Sequence, residues 1–105
     1  MRDDHQRLLD IPEAMGKIEK YSGGGKTSFE NNELIQTWVI YHLQIMGEAA
    51  SNISDTTKAK YPSIQWRNIT GMRNILEHGY FGLDSDVVWS VVENDLALLK
   101  ANLQS

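Results

Sequence analysis

The sequence predicts an all-α protein, an antiparallel bundle of four to five helices. Two observations predict it. Apolar residues recur at three- and four-residue steps through three long segments, and a fourth such segment covers the region from Pro62 to Tyr80. No stretch shows the strict apolar–polar alternation of a half-buried strand. The connections are short and polar or rich in Gly, which suits helices packed against their chain neighbours.

The first helix is expected from about Asp3 to Tyr21, with Leu8, Ile11, Met15 and Ile18 on one face and Ala14 beside them. Pro12 interrupts it. Either a short helix ends near Leu9 and restarts with Asp10 as N-cap and Glu13 three residues on, or one helix kinks. The unbroken phase of the apolar stripe favours the kink. Ser22-Gly23-Gly24-Gly25-Lys26-Thr27 reads as a flexible linker. Its Lys-Thr ending invites a phosphate-loop reading, but Lys20 stands where that pattern needs Gly, and no strand precedes it.

The second helix is predicted from about Asn32 to Ile53. Leu34, Trp38, His42, Ile45, Ala49 and Ile53 form its stripe, with Ile35, Val39 and Met46 alongside, while Gly47, Ala49 and Ala50 permit close packing. Ser54 to Tyr61 is turn-like. Pro62 opens the third helix with Ser63 as N-cap, and Trp66, Ile69, Met72, Ile75 and Leu76 mark its buried side. Phe81-Gly82-Leu83 connects to a last helix, about Ser85 to Leu103, capped by Asp84, with Val88, Val91, Val92, Leu96, Leu99 and Leu103 inward. The 105 residues form one domain, 1–105, without internal repeat. Trp38, Trp66 and Trp89 are many for one small core, and a homodimer is expected to cover part of them.

Composition narrows the chemistry. There are no cysteines, which excludes disulfides and thiolate sites and suits a reducing, cytoplasmic setting. No apolar run reaches the roughly 20 residues of a membrane span, and the charged start, Met1 to Arg7, lacks a signal-peptide core. The net charge of −4 and pI near 5.2 count against non-specific nucleic-acid binding. A local basic site remains open, because Lys58, Lys60, Arg67 and Arg73 outnumber the acids near them.

The chemically distinctive stretch is Gly71-Met72-Arg73-Asn74-Ile75-Leu76-Glu77-His78-Gly79-Tyr80. On a helix, Asn74 and His78 lie one turn apart, and Arg73 and Glu77 form a second pair beside them. Histidine exchanges protons near neutral pH, and arginine grips phosphate through paired hydrogen bonds. RNA brings its own nucleophile, the ribose 2′-hydroxyl. An enzyme that uses it needs a proton carrier and a cation rather than a metal. His78 suits the first role and Arg73 the second, with Asn74 holding the ring or the phosphate. The two side chains leave the axis about 140° apart, so convergence needs a long Arg, a loosened end at Gly79, or a second subunit. From the residues alone, a structural role comes first: a surface ion pair of Arg73 with Glu77, and Tyr80 covering the core end. His42 reads as a packed core residue, His5 as exposed, and Glu48 as solvated or near the site. The three histidines show no ligand spacing, which ranks a metal-dependent phosphohydrolase low.

Arg73-Asn74-x-x-x-His78-x-Tyr80 resembles the Arg-x4-His-x-Tyr motif of the HepT-like proteins, a branch of the HEPN superfamily. Gly47-Glu48-Ala49-Ala50, Tyr61-Pro62-x-Ile64-x-Trp66, Gly71-Met72-Arg73-Asn74, His78-Gly79-Tyr80-Phe81-Gly82 and Val88-Trp89 follow in the order that family shows. The resemblance covers nearly the whole chain. It implies a dimerising HEPN-like bundle and a metal-independent, cofactor-free endoribonuclease that acts as the toxin of a toxin–antitoxin pair. It also implies that Arg73 and His78 are catalytic, and that Asn74 is the polar residue following the Arg. Tyr80 is then the tyrosine that an antitoxin, a minimal nucleotidyltransferase of the MntA type, modifies with AMP. Pro12 departs from the usual helix formers of the family. The alternative is a non-catalytic helical module that binds a nucleotide or docks a nucleotidyltransferase.

Overall fold

The computed structural model describes residues 3–72 and 85–104, and every described element is helical. Ile75, Leu76, Phe81, Gly82, Leu83 and Asp84, assigned above to the third helix, its exit and the last N-cap, lie outside the described residues, as does the side chain of Leu103.

Helix α1, Asp4–Ser22, runs through Pro12 without a restart. Its cap is Asp3, whose carboxylate accepts from the Gln6 backbone N–H at 2.8 Å, while the Asp3 N–H donates to Gln6 Oε1 at 3.0 Å. That reciprocal box closes the first turn. Asp10 therefore lies inside the helix rather than capping a second one. Pro12 removes one helical hydrogen bond, but it stands on the exposed face. Ile11, Ala14, Met15 and Ile18 are buried and hold the helix in phase on both sides of it.

The expected linker is mostly structured. Only Gly23 and Gly24 turn, and α2, Gly25–Glu30, follows at once. Gly25 has φ +84°, a left-handed conformation that a side chain would resist. The tight reversal delivers Phe29 into the core, 1% exposed and with its ring centroid 5.4 Å from that of Trp89. Lys26 is tied to Asp86 at 2.8 Å and lies 3.7 Å from Glu30. This ion pair raises the Lys26 ammonium above its usual range and lowers the Asp86 carboxyl below its own, chiefly through their mutual hydrogen bond.

Helix α3, Glu33–Asn52, is the centre of the fold. Asn32 caps it by accepting from the Leu34 and Ile35 N–H groups at 3.0 and 3.2 Å. The buried band is Val39, Ile40, His42, Leu43, Met46, Gly47, Ala49 and Ala50. The predicted stripe is buried or half-buried except at Leu34, which sits in the first turn and is 82% exposed, and Ile40 and Leu43 join the buried band. Helix α1 packs along α3, and the Trp38 indole N–H donates to the Lys17 carbonyl of α1 at 2.7 Å.

The turn expected at Ser54 to Tyr61 contains a short helix, α4, Asp55–Ala59, capped by Ser54. Asp4 reaches across from α1 to the same point. It accepts from the Ser54 hydroxyl at 2.6 Å and the Thr57 hydroxyl at 2.7 Å. Those donors hold the Asp4 carboxyl below its ordinary value, with a smaller contribution from Arg7.

Helix α5, Trp66–Gly71, starts later than Ser63, with Gln65 at its N-cap and no side-chain cap bond. The intervening chain folds tightly, with Ile64 N–H donating to the Tyr61 carbonyl and Trp66 N–H to the Ile64 carbonyl. This detour buries Ile64, a tertiary gain that outweighs the local cap signal of Pro62-Ser63.

The last segment is α6, Ser85–Ser90, a π-helical turn over Val91–Asp95, and α7, Leu96–Gln104. The Leu96 N–H donates to the Val91 carbonyl, five residues back. The wide turn has a packing reason. Val88 and Trp89 are buried before it, and Leu96 and Leu99 after it. In a regular α-helix Leu96 would stand about 80° away from Val88. One extra residue in the turn brings both onto the same side.

Candidate functional site

The sequence places the chemistry at Arg73, Asn74, His78 and Tyr80, all of which lie outside the described residues. What the structure describes is the scaffold on which they are mounted. Met72, the residue immediately before Arg73, is 2% exposed, and Ile69 one turn earlier is equally buried. Both belong to the one hydrophobic cluster that α1, α3 and α7 share, and α5 packs on α3. The backbone entering the motif is therefore anchored at its last described residue. A fixed entry point is what an active site needs from its supporting helix.

Around this anchor the chain lays out a narrow cleft between α5 and the last helix. Gln65, Asn68, Asp95 and Asn102 edge it, over Ile69, Met72, Leu98 and Leu99. Its volume of about 10 Å³ holds roughly one water molecule. Asn68 donates to Gln65 Oε1 at 2.6 Å, so two of these amides already orient one another. Asp95 belongs to this edge because the π turn carries it there. The sequence offered no such signal, since a π turn leaves no composition mark.

The approach to the motif is basic on the described side. Arg67 and Lys60 are exposed, and the Lys58 ammonium lies 5.9 Å from the Trp66 ring centroid. Trp66 is fixed in turn by its indole N–H, which donates to the Lys58 carbonyl at 3.3 Å. Lys58, Lys60 and Arg67 outnumber the acids near them in the sequence, although the chain as a whole is acidic.

The structure describes the other singled-out side chains. His5 is exposed on α1. His42 is buried in α3, its Nδ1 2.9 Å from the Trp38 carbonyl. Glu48 is exposed beside Arg7 and Asp10 in a groove between α1 and α3. Of the three tryptophans only Trp89 is buried, while Trp38 and Trp66 are half-buried. Trp38 and Trp66 bond to carbonyls, and Trp89 packs on Phe29. The exposed apolar residues are instead Leu9, Leu34, Tyr41 and Leu98 among others. Among the described residues no cluster of three or more His, Asp or Glu is placed to hold a metal ion, and no helix is long and apolar enough to cross a membrane.

Comparison with known proteins gives this scaffold its relatives. A family model described as "Ribonuclease HepT-like" matches residues 11–105. The protein named "Putative RNase MJ1380" of Methanocaldococcus jannaschii is 34% identical over 104 residues, which cover 98% of this chain and 95% of that one. The "Probable ribonuclease HepT" of Thermococcus cleftensis is 37% identical over 108 aligned positions, covering 99% and 96%. No solved structure matches.

Proposed function

The chain belongs to the ribonuclease HepT-like family and is an endoribonuclease, and we propose that it cuts RNA without a metal ion, as the toxin of a toxin–antitoxin pair. The observation that carries this reading is the family match over residues 11–105, a range that spans Arg73, Asn74, His78 and Tyr80. Membership of a family described as ribonuclease favours catalysis over the alternative of a non-catalytic docking module.

The step needs few groups. The ribose 2′-oxygen bonds to phosphorus, and the bond from phosphorus to the 5′-oxygen breaks. His78 carries the proton from the first oxygen to the second, leaving a 2′,3′-cyclic phosphate and a free 5′-hydroxyl. Arg73 holds the non-bridging oxygens as charge builds on them. Asn74 orients the imidazole or the phosphate. A homodimer would set two such groups around one groove and overcome the angular separation of Arg73 and His78. Tyr80, two residues past His78, is a site where an AMP group added by an MntA-type nucleotidyltransferase would place bulk and negative charge in the path of the RNA phosphate.

The test is RNA cleavage by the purified chain in excess EDTA, with the ends identified chemically. Cyclic phosphate ends are expected, and their loss in both Arg73→Ala and His78→Ala with unchanged melting. Cleavage that persists in both variants would remove the proposed roles.

A further inference from the structure

We infer that the cleft between α5 and the last helix reads a guanine base of the RNA, with the Asp95 carboxylate and the paired amides of Gln65 and Asn68 meeting the hydrogen-bonding edge of the base. The inference rests on the reading of RNA as this chain's substrate and adds a base preference to it. Met72, the residue before Arg73, lines the cleft, so the chain itself ties the cleft to the motif.

Hydrogen bonding at the rim selects the base. Asn68 Nδ2 donates to Gln65 Oε1 at 2.6 Å. That bond uses one half of each amide. Gln65 Nε2 remains as a donor and Asn68 Oδ1 as an acceptor, neither with a partner among the described residues. Asp95 adds an acceptor-only carboxylate on the same edge, also without a partner among them. The rim therefore offers one donor and two acceptors, one of the acceptors charged. Guanine presents the complement on its Watson–Crick edge, an O6 acceptor beside the N1–H and N2–H donors. Adenine, cytosine and uracil each present a single donor group there, so none of them satisfies both acceptors.

Asp95 decides the preference. It is half-buried, and the π turn carries it to the cleft. A carboxylate partly withdrawn from water and left unpaired costs free energy. Two N–H donors in one plane offset that cost through charge-assisted hydrogen bonds. The cavity itself, about 10 Å³, is too small for a base, so the base lies across its mouth. Leu98, 46% exposed and lining the same cleft, gives the ring an apolar seat. Arg67, exposed and next to Asn68 in the chain, supplies a cation for the accompanying phosphate.

Fluorescence anisotropy with the full chain tests this. The probes are fluorescein-labelled 2′-fluoro uridine octamers with one central guanosine, inosine or adenosine. The fluorine replaces the attacking hydroxyl, so binding is read whether or not the chain cuts. Inosine differs from guanosine only in lacking the 2-amino group. The guanosine octamer is expected to bind about tenfold tighter than the inosine octamer, and Asp95→Ala to erase that ratio. Removing a carboxylate eases the repulsion of any polyanion. An Asp95 that acted through charge alone would therefore, when removed, tighten all three octamers alike and keep their ratios. Absent binding, equal binding of the guanosine and inosine octamers by the wild type, or a guanosine preference that survives Asp95→Ala overturns the inference. So does displacement by free guanosine monophosphate at matching concentration, which would give the cleft to a mononucleotide. RNA cutting in EDTA without a guanine preference in binding would leave the nuclease standing and remove the role of the cleft. A guanine preference without cutting would do the opposite.

Discussion

The pair α1 and α3 and the pair α5 and α7 solve the same problem differently. The first pair consists of two long helices, capped by the side chains of Asp3 and Asn32 and packed along one continuous face. The second consists of a six-residue helix with no side-chain cap and a last helix re-phased by a π turn. The regular half carries the core, while the irregular half carries the entry to the motif. Regular helices follow from periodicity, whereas a reactive face needs side chains aimed at one another, and aiming costs regularity.

The comparison breaks most sharply if the reactive residues prove to be structural. His78→Ala and Arg73→Ala should each lower RNA cleavage by about 10²–10⁴-fold, with melting temperature unchanged. Loss of both activity and melting would move these residues into the packing. In the regular half the expectation is reversed. Leu43→Ala should cost about 2–5 kcal/mol, read by chemical denaturation, and leave specific activity of the folded fraction intact. Leu43 is fully buried at the centre of α3, so an effect near zero would mean that α1 and α3 do not form the main core.

The π turn gives a subtler test. Deleting exposed Glu93 removes one residue from that turn and lets an ordinary α-helix keep Val88 and Leu96 in line. The cost should be about 1 kcal/mol or less, the scale of one hydrogen bond. Deleting Gln44 from α3 rotates half of its buried band by about 100° and should prevent folding. Similar outcomes for the two deletions would erase the distinction between the halves.

The smallest effect concerns the Asp4 clasp. The Ser54 and Thr57 hydroxyls favour the charged carboxylate, so the folded chain holds this proton more weakly than the unfolded one. The stabilisation is therefore full above the ordinary value of 3.8 and fades as pH falls through the lowered folded value. Asp4→Asn should melt slightly below wild type at neutral pH, and the gap should close in acid. A gap that widens in acid would reverse the sign.

Much of the bundle was legible, and the failures have causes. The ends of α3 were readable because Asn32 is a strong local cap and Ile53 closes the apolar repeat. The burial of α3 was read correctly but for Leu34, which sits in its first turn and stays in water. The linker hid a helix because Gly25 signals a turn, while Phe29 is drawn inward by Trp89, far along the chain. The start of α5 was misread because Pro62-Ser63 is a good local cap that burial of Ile64 overrides. The candidate site was legible only as a motif. Arg73 and His78 stand out by residue type, and no periodicity would have separated them from a surface ion pair.

The bond from the Trp38 indole to the Lys17 carbonyl makes a built-in reporter. It joins α1 to α3 through a proton with its own resonance, well downfield of the amides. Exchange of that proton with solvent deuterium would time the parting of the two longest helices, one event at a time. Trp66 would give a second clock, because its indole closes a loop beside the motif instead. Comparing the two would tell whether α1 and α3 part independently of the loop from Lys58 to Trp66.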